Sequence, residues 1–351
     1  MRLADLTQRA GEWLRGVGPM HDVVISSRIR LARNLAGVPF LSRCGTDQQR
    51  EIEQRLREKI LQAGIAREMF YVDVGAAGEL DRQLLVERHL ISRQHADADH
   101  PRGVAITADE TAAIMVNEED HLRMQILRSG LQLAEAMREI QHMDDLLEKH
   151  LDFAYHGQFG YLTACPTNVG TGMRVSVMLH LPALKMTGEI EKVFRAARDM
   201  RLAVRGLYGE GTEATGDFFQ VSNQSTLGKT EEQIVEEFLS QMIPEFIEYE
   251  RRARRALLDR QHRAIDDKVG RAHALLRAVK LISSEETMYL LSLLRMGVNL
   301  ERITSVDLRA INELFLLTQP AHLQKMYKRE MTAEQRAEAR ADLIRARLGG
   351  D

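Results

Sequence analysis

Two arginines stand two positions apart in Ser26-Ser27-Arg28-Ile29-Arg30-Leu31, a segment of strand-like character. A strand sends alternate side chains to one face, so Arg28 and Arg30 point the same way. Like charges side by side on a sheet repel unless an anion lies between them. Guanidinium groups grip phosphate through two parallel hydrogen bonds and stay charged at any working pH. Arg123, Arg174 and Arg205 sit in further strand-like segments. The set reads as a cradle for a polyphosphate such as ATP.

Acids and a thiol accompany these arginines. Glu118, Glu119 and Asp120 follow the apolar run that ends at Val116. Three successive acids there are costly unless they face a cation or solvent. Taken alone, such a turn is the start of a helix or a catalytic carboxylate site. Cys165-Pro166-Thr167-Asn168-Val169-Gly170-Thr171-Gly172 is built of small, turn-forming residues that let backbone N–H groups approach a ligand. Cys165 is either buried filler or, beside this turn and several arginines, a reactive thiolate. Arg205-Gly206-Leu207-Tyr208-Gly209-Glu210-Gly211 reads as a loop that delivers one carboxylate, Glu210. Val221-Ser222-Asn223-Gln224 is a strand end without clear chemistry. Gly228-Lys229-Thr230 resembles the tail of a P-loop, but Asn223 stands where the first glycine is required, so the pattern fails. Phosphates must then be held by side chains.

The elements that position these residues divide the chain. The 351 residues are enough for two domains with sizeable cores. With 44% hydrophobic and 28% charged residues, the composition is that of a soluble globular protein. A net charge of −3 gives no general attraction to nucleic acid. Two cysteines, Cys44 and Cys165, exclude a disulfide scaffold and a cysteine-rich zinc site, and fit a reducing, cytoplasmic setting. The start lacks the apolar core of a secretory signal, and no run is long enough to span a membrane.

An amphipathic segment is expected around Leu6–Leu14 and a helix over Asp47–Gln62. Strands are expected at Gly103–Thr107 and Ala112–Asn117, and a long helix over Leu122–Lys149. Further strands follow near Gly160–Ala164, Arg174–Leu181, Leu202–Tyr208 and Asp217–Ser222, with a helix over Glu189–Met200 between the last pairs. This mixture predicts an α+β domain on a mostly antiparallel sheet flanked by helices. After Thr230 no strand is expected. Thr230-Glu231-Glu232-Gln233, Ser283-Ser284-Glu285-Glu286 and Thr332-Ala333-Glu334-Gln335 are helix-start signals, and the end of the chain reads as an all-α domain. The expected division is an N-terminal segment 1–20, a catalytic domain 21–251 and a helical C-terminal domain 252–351. The basic run Arg251–Arg255 marks the passage; it is a solvated helix face or a phosphate- or partner-docking patch.

Four of these segments together resemble the phosphagen (guanidino) kinase family: residues 26–30, 117–123, 165–174 and 205–210, in family order and spacing. The resemblance implies transfer of the ATP γ-phosphoryl group to a guanidino nitrogen, with Mg²⁺ carried by the nucleotide rather than by a metal site of the protein. It implies nucleotide contacts at Ser26, Ser27, Arg28, Ile29, Arg30, Arg123, Arg174, Val175, Ser176, Val177, Met178, Arg205, Gly206, Leu207, Tyr208 and Gly209. His89 matches the nucleotide-proximal histidine, with His95 and His100 close by in sequence. Glu119 and Glu210 match the carboxylates that hold the guanidinium, and Cys165 the reactive cysteine.

Metabolite-directed members carry a helical domain before the arginine strand, whereas here only residues 1–25 precede it. With the helical part at the C-terminus, the chain is similar to the protein-arginine kinase branch of the family. That implies protein substrates with exposed arginines, a homodimer, a zinc-containing activator, and marking of proteins for a Clp ATPase in stress response. It also implies an allosteric phosphoarginine pocket at Arg336 and Arg340, where Ala337 replaces the motif's aspartate and Glu338 is the nearest acid. The competing readings are a kinase for a free guanidino metabolite and a non-catalytic helical adaptor or nucleic-acid binder using Arg251–Arg255.

Overall fold

The computed structural model describes residues 3–8, 10–206 and 215–349. Its centre is an eight-stranded sheet whose neighbouring strands all run antiparallel. In chain order the strands are β1 (Val24–Arg33), β2 (Met69–Asp73), β3 (Gly103–Thr107), β4 (Ala112–Val116), β5 (Leu122–Ser129), the two-residue partners β6 (Tyr155–His156) and β7 (Gly160–Tyr161), β8 (Met173–His180), β9 (Leu202–Gly206) and β10 (Phe218–Asn223). The main sheet is ordered β2-β3-β4-β5-β1-β8-β10-β9, so the arginine strand β1 is central. The expected α+β class and antiparallel sheet are observed.

The helices of the first part are α1 (Thr46–Gln62), α2 (Glu79–Glu87), α3 (Arg93–Asp97), α4 (Leu133–Glu148), α5 (Pro182–Met186), α6 (Ile190–Asp199) and α7 (Glu231–Glu237). α1 starts where the Gln48 side chain accepts from Gly45 N, and it buries Ile52, Leu56 and Ile60 at intervals of four. α7 carries the capping box expected at Thr230 and Gln233. α8 (Ile243–Ala278), α9 (Ser284–Asn299), α10 (Leu308–Leu317), α11 (Pro320–Met326) and α12 (Ala333–Leu348) complete the chain. Ser283 and Thr332 cap α9 and α12 as expected.

Three readings are corrected. The segment Leu122–Lys149 is not one helix: β5 occupies 122–129, Gly130 turns the chain at φ 69°, and only α4 is helical. The residues of β5 are good helix formers, but pairing with both β1 and β4 overrides that local preference. Gly160–Ala164 contributes only the short β7. The N-terminal amphipathic segment expected around Leu6–Leu14 comes as two short 3-10 turns, Leu3–Gln8 and Glu12–Leu14, rather than as one element.

The Arg251–Arg255 run lies inside α8, which continues through residue 252 without interruption until Gln261 departs from helical geometry. Arg251 pairs with Asp22, Arg254 with Glu250, and Arg255 with Glu248. Glu250, fully buried, accepts from the amides of Ala183 and Leu184 at the start of α5. Arg251, through the Asp22 carboxylate, and Arg254, which donates to Asp22 O, therefore fasten α8 to the sheet domain, whereas the Arg255–Glu248 pair stays within the helix. Phe218 of β10 also meets Phe315 of α10 edge-on at 4.7 Å. The helical region is packed directly against the sheet.

Candidate active site

Strand register decides which side chains share a surface. Across β1, Arg28 lies opposite Leu127 and Ser176, and Arg30 opposite Gln125 and Arg174. Arg123 lies opposite Ala32, and Arg205 opposite Gln220, which faces Met178. Alternation then places Arg28, Arg30, Arg123, Arg174 and Arg205, from four strands, on one face. Ile29, Leu31, Val175, Val177, Met124 and Ile126 fill the opposite face, buried with Ile140 of α4. Ser27 also belongs there: its hydroxyl donates to Gly130 O at 2.8 Å and accepts from Gln132 N. Ser27, Ile29, Val175 and Val177 can thus offer a ligand on the arginine face only main chain.

The arginine face is electrostatically loaded. Burial, then the charges of Arg123, Arg174 and Arg205, draw Arg28 down to about 10. Burial, then Arg28, Arg123 and Arg174, draw Arg30 well below the usual arginine range. Nε of Arg30 is buried with no acceptor among the described residues. Arg28 is held in place by Gln220 Oε1 at 2.5 Å and by Ser176 Oγ at 3.4 Å. These are the marks of a surface arranged for an anion. Among the described residues, no group of three His, Cys, Asp or Glu side chains could hold a metal ion.

The three acids separate at the β4–β5 hairpin. Asn117 turns the chain at φ 59°, a conformation asparagine tolerates better than most residues, and its side chain donates to Gln49 O and Pro101 O. Glu118 is buried; it accepts from Ser92 Oγ at 2.6 Å and from Arg123. Burial alone would raise its pKa, but Arg123 and the Ser92 hydroxyl hold it at about 2. Asp120 Oδ1 accepts from Asn34 Nδ2 at 2.6 Å and from Ala164 N at 2.7 Å. Glu119, half-buried between them, is raised above the usual glutamate range by burial and then by Asp120. Of the three, Glu119 is the acid whose side chain has no hydrogen-bond or ion-pair partner among the described residues, and it also senses the charges of Arg123 and Arg174.

The Asp120–Ala164 bond brings the Cys165 turn to this hairpin. Cys165 Sγ lies 3.0 Å from Thr167 Oγ1. The glycines of the turn answer close approaches: a Cβ on Gly170 would meet Thr226 O at 2.4 Å, and one on Gly172 would meet Ala32 O at 2.7 Å. At the far end of the arginine face lies His89, at φ 58°, with its carbonyl accepting from Gln125 Nε2. Burial, then the Arg28 charge, lowers it to about 3, so it is neutral near pH 7. His95 and His100 instead bond to Gly103 O and Asn117 O. Gly206 ends β9, whereas Leu207, Tyr208, Gly209 and Glu210 lie outside the described residues.

The helical region reaches the His89 segment. Arg88, fully buried, donates twice to Glu110 and contacts His322 Nε2 of α11 at 3.1 Å. Glu87 accepts from His322 Nδ1 at 2.7 Å and from the amides of Ala321 and His322. Arg336 and Arg340 sit one turn apart on α12. Arg340 is buried and donates to Thr318 O, Ile282 O and Ser284 Oγ, while Arg336 donates to Met331 O. Reading the sequence picked out the acids 118–120 together but gave a role to Glu119 alone, and it gave none to Asn34, Gln220 or the Glu87–Arg88 pair. The alternation of β10 would have placed Gln220, but no local signal marks the others, because their partners are distant in sequence.

An antiparallel sheet with an arginine-lined face, closed at one end by an acid hairpin and a cysteine turn, defines an ATP-dependent guanidino phosphotransferase. Residues 51–253 match the ATP:guanido phosphotransferase C-terminal catalytic domain, and residues 262–350 match the C-terminal domain of the protein-arginine kinase McsB. The chain is 47% identical over 348 residues to the protein-arginine kinase of Symbiobacterium thermophilum, covering 98% of each chain. It is 41% identical to that of Bacillus subtilis, covering 96% of this chain and 93% of the relative. Among solved structures, lombricine kinase superposes with a TM-score of 0.57 at 25% identity, covering 70% of each chain. The duplicated taurocyamine kinase of Schistosoma mansoni, solved with transition-state-analogue components, gives a TM-score of 0.60 at 27% identity; the match covers 70% of this chain and 35% of that one. The chain belongs to the protein-arginine kinases of the ATP:guanido phosphotransferase family. Among the described residues, no helix is long and apolar enough to cross a membrane.

Proposed function

We propose that ATP lies along the arginine face, with its base at the Leu127–Met178 end and its γ-phosphoryl group at the Arg123 end. The observation that carries this reading is the common face of Arg28, Arg30, Arg123, Arg174 and Arg205, with Glu119 at one end of it. The arginines neutralise the triphosphate and the charge that spreads over the transferring phosphoryl group. Mg²⁺ enters with the nucleotide, held by its phosphates, and supplies further charge neutralisation there. Ser26, Ser176 and Met178 line the base end beside His89, and the backbone of 174–178 and 205–209 completes the nucleotide contacts.

Arginine is a poor nucleophile, because its guanidinium is protonated and its lone pairs are delocalised. Glu119 and Glu210 hold its planar fork and align one nitrogen with the γ-phosphorus. As the N–P bond forms and the bond to the ADP oxygen breaks, a guanidinium proton passes to the carboxylate of Glu119. Cys165 sits beside the guanidinium and biases its charge. Alignment of this kind supplies roughly 7–11 kcal/mol of barrier reduction.

The substrates are proteins with exposed arginines, consistent with the relatives' activity. The wider setting belongs to the same reading: a cytoplasmic homodimer assembled through the helical region 252–351, a zinc-containing activator, and delivery of marked proteins to a Clp ATPase. Arg336 and Arg340 form the core of a phosphoarginine pocket once Arg340 exchanges its carbonyl partners for phosphate. Replacing Arg28 with Ala tests the cradle. Loss of one charged phosphate contact should weaken ADP binding by about tenfold or more in calorimetry, with the melting temperature little changed. Unchanged ADP affinity would contradict the placement.

A further inference from the structure

Pro166 and Thr167, at the crest of the Cys165 turn, are exposed, so bonds rather than packing must fix its shape there. Many of those bonds come from one residue of the link between β10 and α7. Thr226 is 6% exposed, and its hydroxyl lies 2.9 Å from Thr167 O and 2.8 Å from Val169 O. A hydroxyl has one hydrogen, so the two carbonyls share it. The carbonyl of Thr226 accepts in turn from Thr171 N at 3.2 Å and from Thr171 Oγ1 at 3.4 Å. The fit is close: Gly170 stands at φ 117°, and a Cβ there would meet Thr226 O at 2.4 Å. Asn223 supplies the base of this clasp. Its side chain accepts from Val175 N at 2.8 Å and donates to Met173 O at 3.2 Å and to Ser225 O at 3.0 Å. From the other side Arg33 donates to Thr171 O at 2.8 Å.

Thr167 is bound at both ends. Its carbonyl accepts from Thr226, and its hydroxyl lies 3.0 Å from Cys165 Sγ. The place of the thiol therefore depends on Thr226 at one remove. A misplacement of about 1 Å near reacting atoms can cost on the order of 100-fold in rate, so whatever sets this turn also sets turnover. We propose that Thr226 is a positioning residue of the phosphoryl transfer: its hydroxyl fixes the Cys165–Gly172 turn and, through Thr167, holds the thiol against the substrate guanidinium. The segment Val221–Gln224, a strand end without chemistry of its own, gains a role as the root of the clasp through Asn223. This inference rests on the place given to Cys165 above.

The test is steady-state turnover of the full chain, read as ADP release with ATP, Mg²⁺ and an arginine-rich acceptor protein. Thr226→Val, which keeps the shape and removes the hydroxyl, should lower kcat about tenfold, less than a full 1 Å misplacement costs, with KM for ATP little changed. Thr226→Ser, which keeps the hydroxyl, should restore most of kcat. Added to Cys165→Ser, Thr226→Val should cost little more, because both changes act on the same thiol. Unchanged kcat in a folded Thr226→Val variant overturns the proposal. So does an equal loss in Thr226→Ser, which would assign the effect to packing, or an undiminished further loss in the Cys165→Ser background. Should Thr226→Val not fold, Thr226→Ala takes its place with the same expectations. Full kcat in Cys165→Ser would overturn both this proposal and the role of Cys165 beneath it. Reduced kcat there, with unchanged kcat in Thr226→Val, would remove the proposal alone.

Discussion

Glu118 and Glu119 are neighbours in sequence and opposites in environment. Glu118 is locked to Arg123 and Ser92 and stays ionised down to about 2, so it holds an arginine of the cradle and has no proton to exchange near neutrality. Glu119 is half-buried and raised above the usual range, first by burial and then by Asp120, which suits a proton acceptor. Because its pKa is raised, Glu119 becomes protonated at a higher pH than an ordinary glutamate as pH falls. Turnover should therefore decline on the acid side with an apparent pKa above about 4.3, the ordinary glutamate value. Glu119→Gln should lower kcat by about 100-fold or more and flatten that acid limb. A retained limb in the variant would assign it to another group. At this scale much was legible in the sequence: Arg28 and Arg30 share a face because their spacing is two, and Arg174 joins them through register. The division of labour among Glu118, Glu119 and Asp120 was not, since it depends on Ser92, Asn34 and Ala164, each far off along the chain.

At the scale of elements, the hairpin β4–β5 and the strand β1 hold the residues proposed for the chemistry, while α11 packs against α2. The Glu87–His322 and Arg88–His322 contacts join α11 to the end of α2, directly before His89, and Arg88 in turn pairs with Glu110 of the β3–β4 turn. All four side chains are almost wholly buried. Removing one member of such a cluster leaves buried charge without its partner, which costs far more than a surface pair. Burial lowers the pKa of His322, so it partners Glu87 as a neutral imidazole, and His322→Ala should destabilise the protein by about 1–3 kcal/mol in denaturant titration. A change below about 0.5 kcal/mol, the scale of surface substitutions, would show that the cluster is not holding α11 to α2. Elements with strong local signals were readable: α1, and the capped starts of α7, α9 and α12. β5 was not, because Leu122-Arg123-Met124-Gln125 favours a helix until β1 and β4 pair with it. β2, α2 and α3 were passed over, their short patterns being decided by packing against β3 and α11.

For the whole molecule, the helical region is packed onto the sheet rather than appended to it. α8 runs without a break from the sheet domain past residue 252 and is anchored through Arg251 to Asp22, two residues before β1. Arg295 of α9 reaches the carbonyls of His21 and Asp22 and the ring of His180, tying the end of the β1–β8 pair where β1 begins and β8 finishes to the helices. A boundary at residue 251 therefore marks a change in composition but cuts through one continuous helix. In the reading proposed above, this sheet, with Glu119 at its rim, phosphorylates arginine in proteins. The most direct measurement is mass spectrometry of a protein mixture incubated with this kinase, ATP and Mg²⁺ at neutral or basic pH, which spares the acid-labile P–N bond. Phosphoarginine is expected on several proteins with the wild type, with near-complete loss in Glu119→Gln. Equal phosphoarginine from both enzymes, or phosphate found only on free arginine, would contradict it.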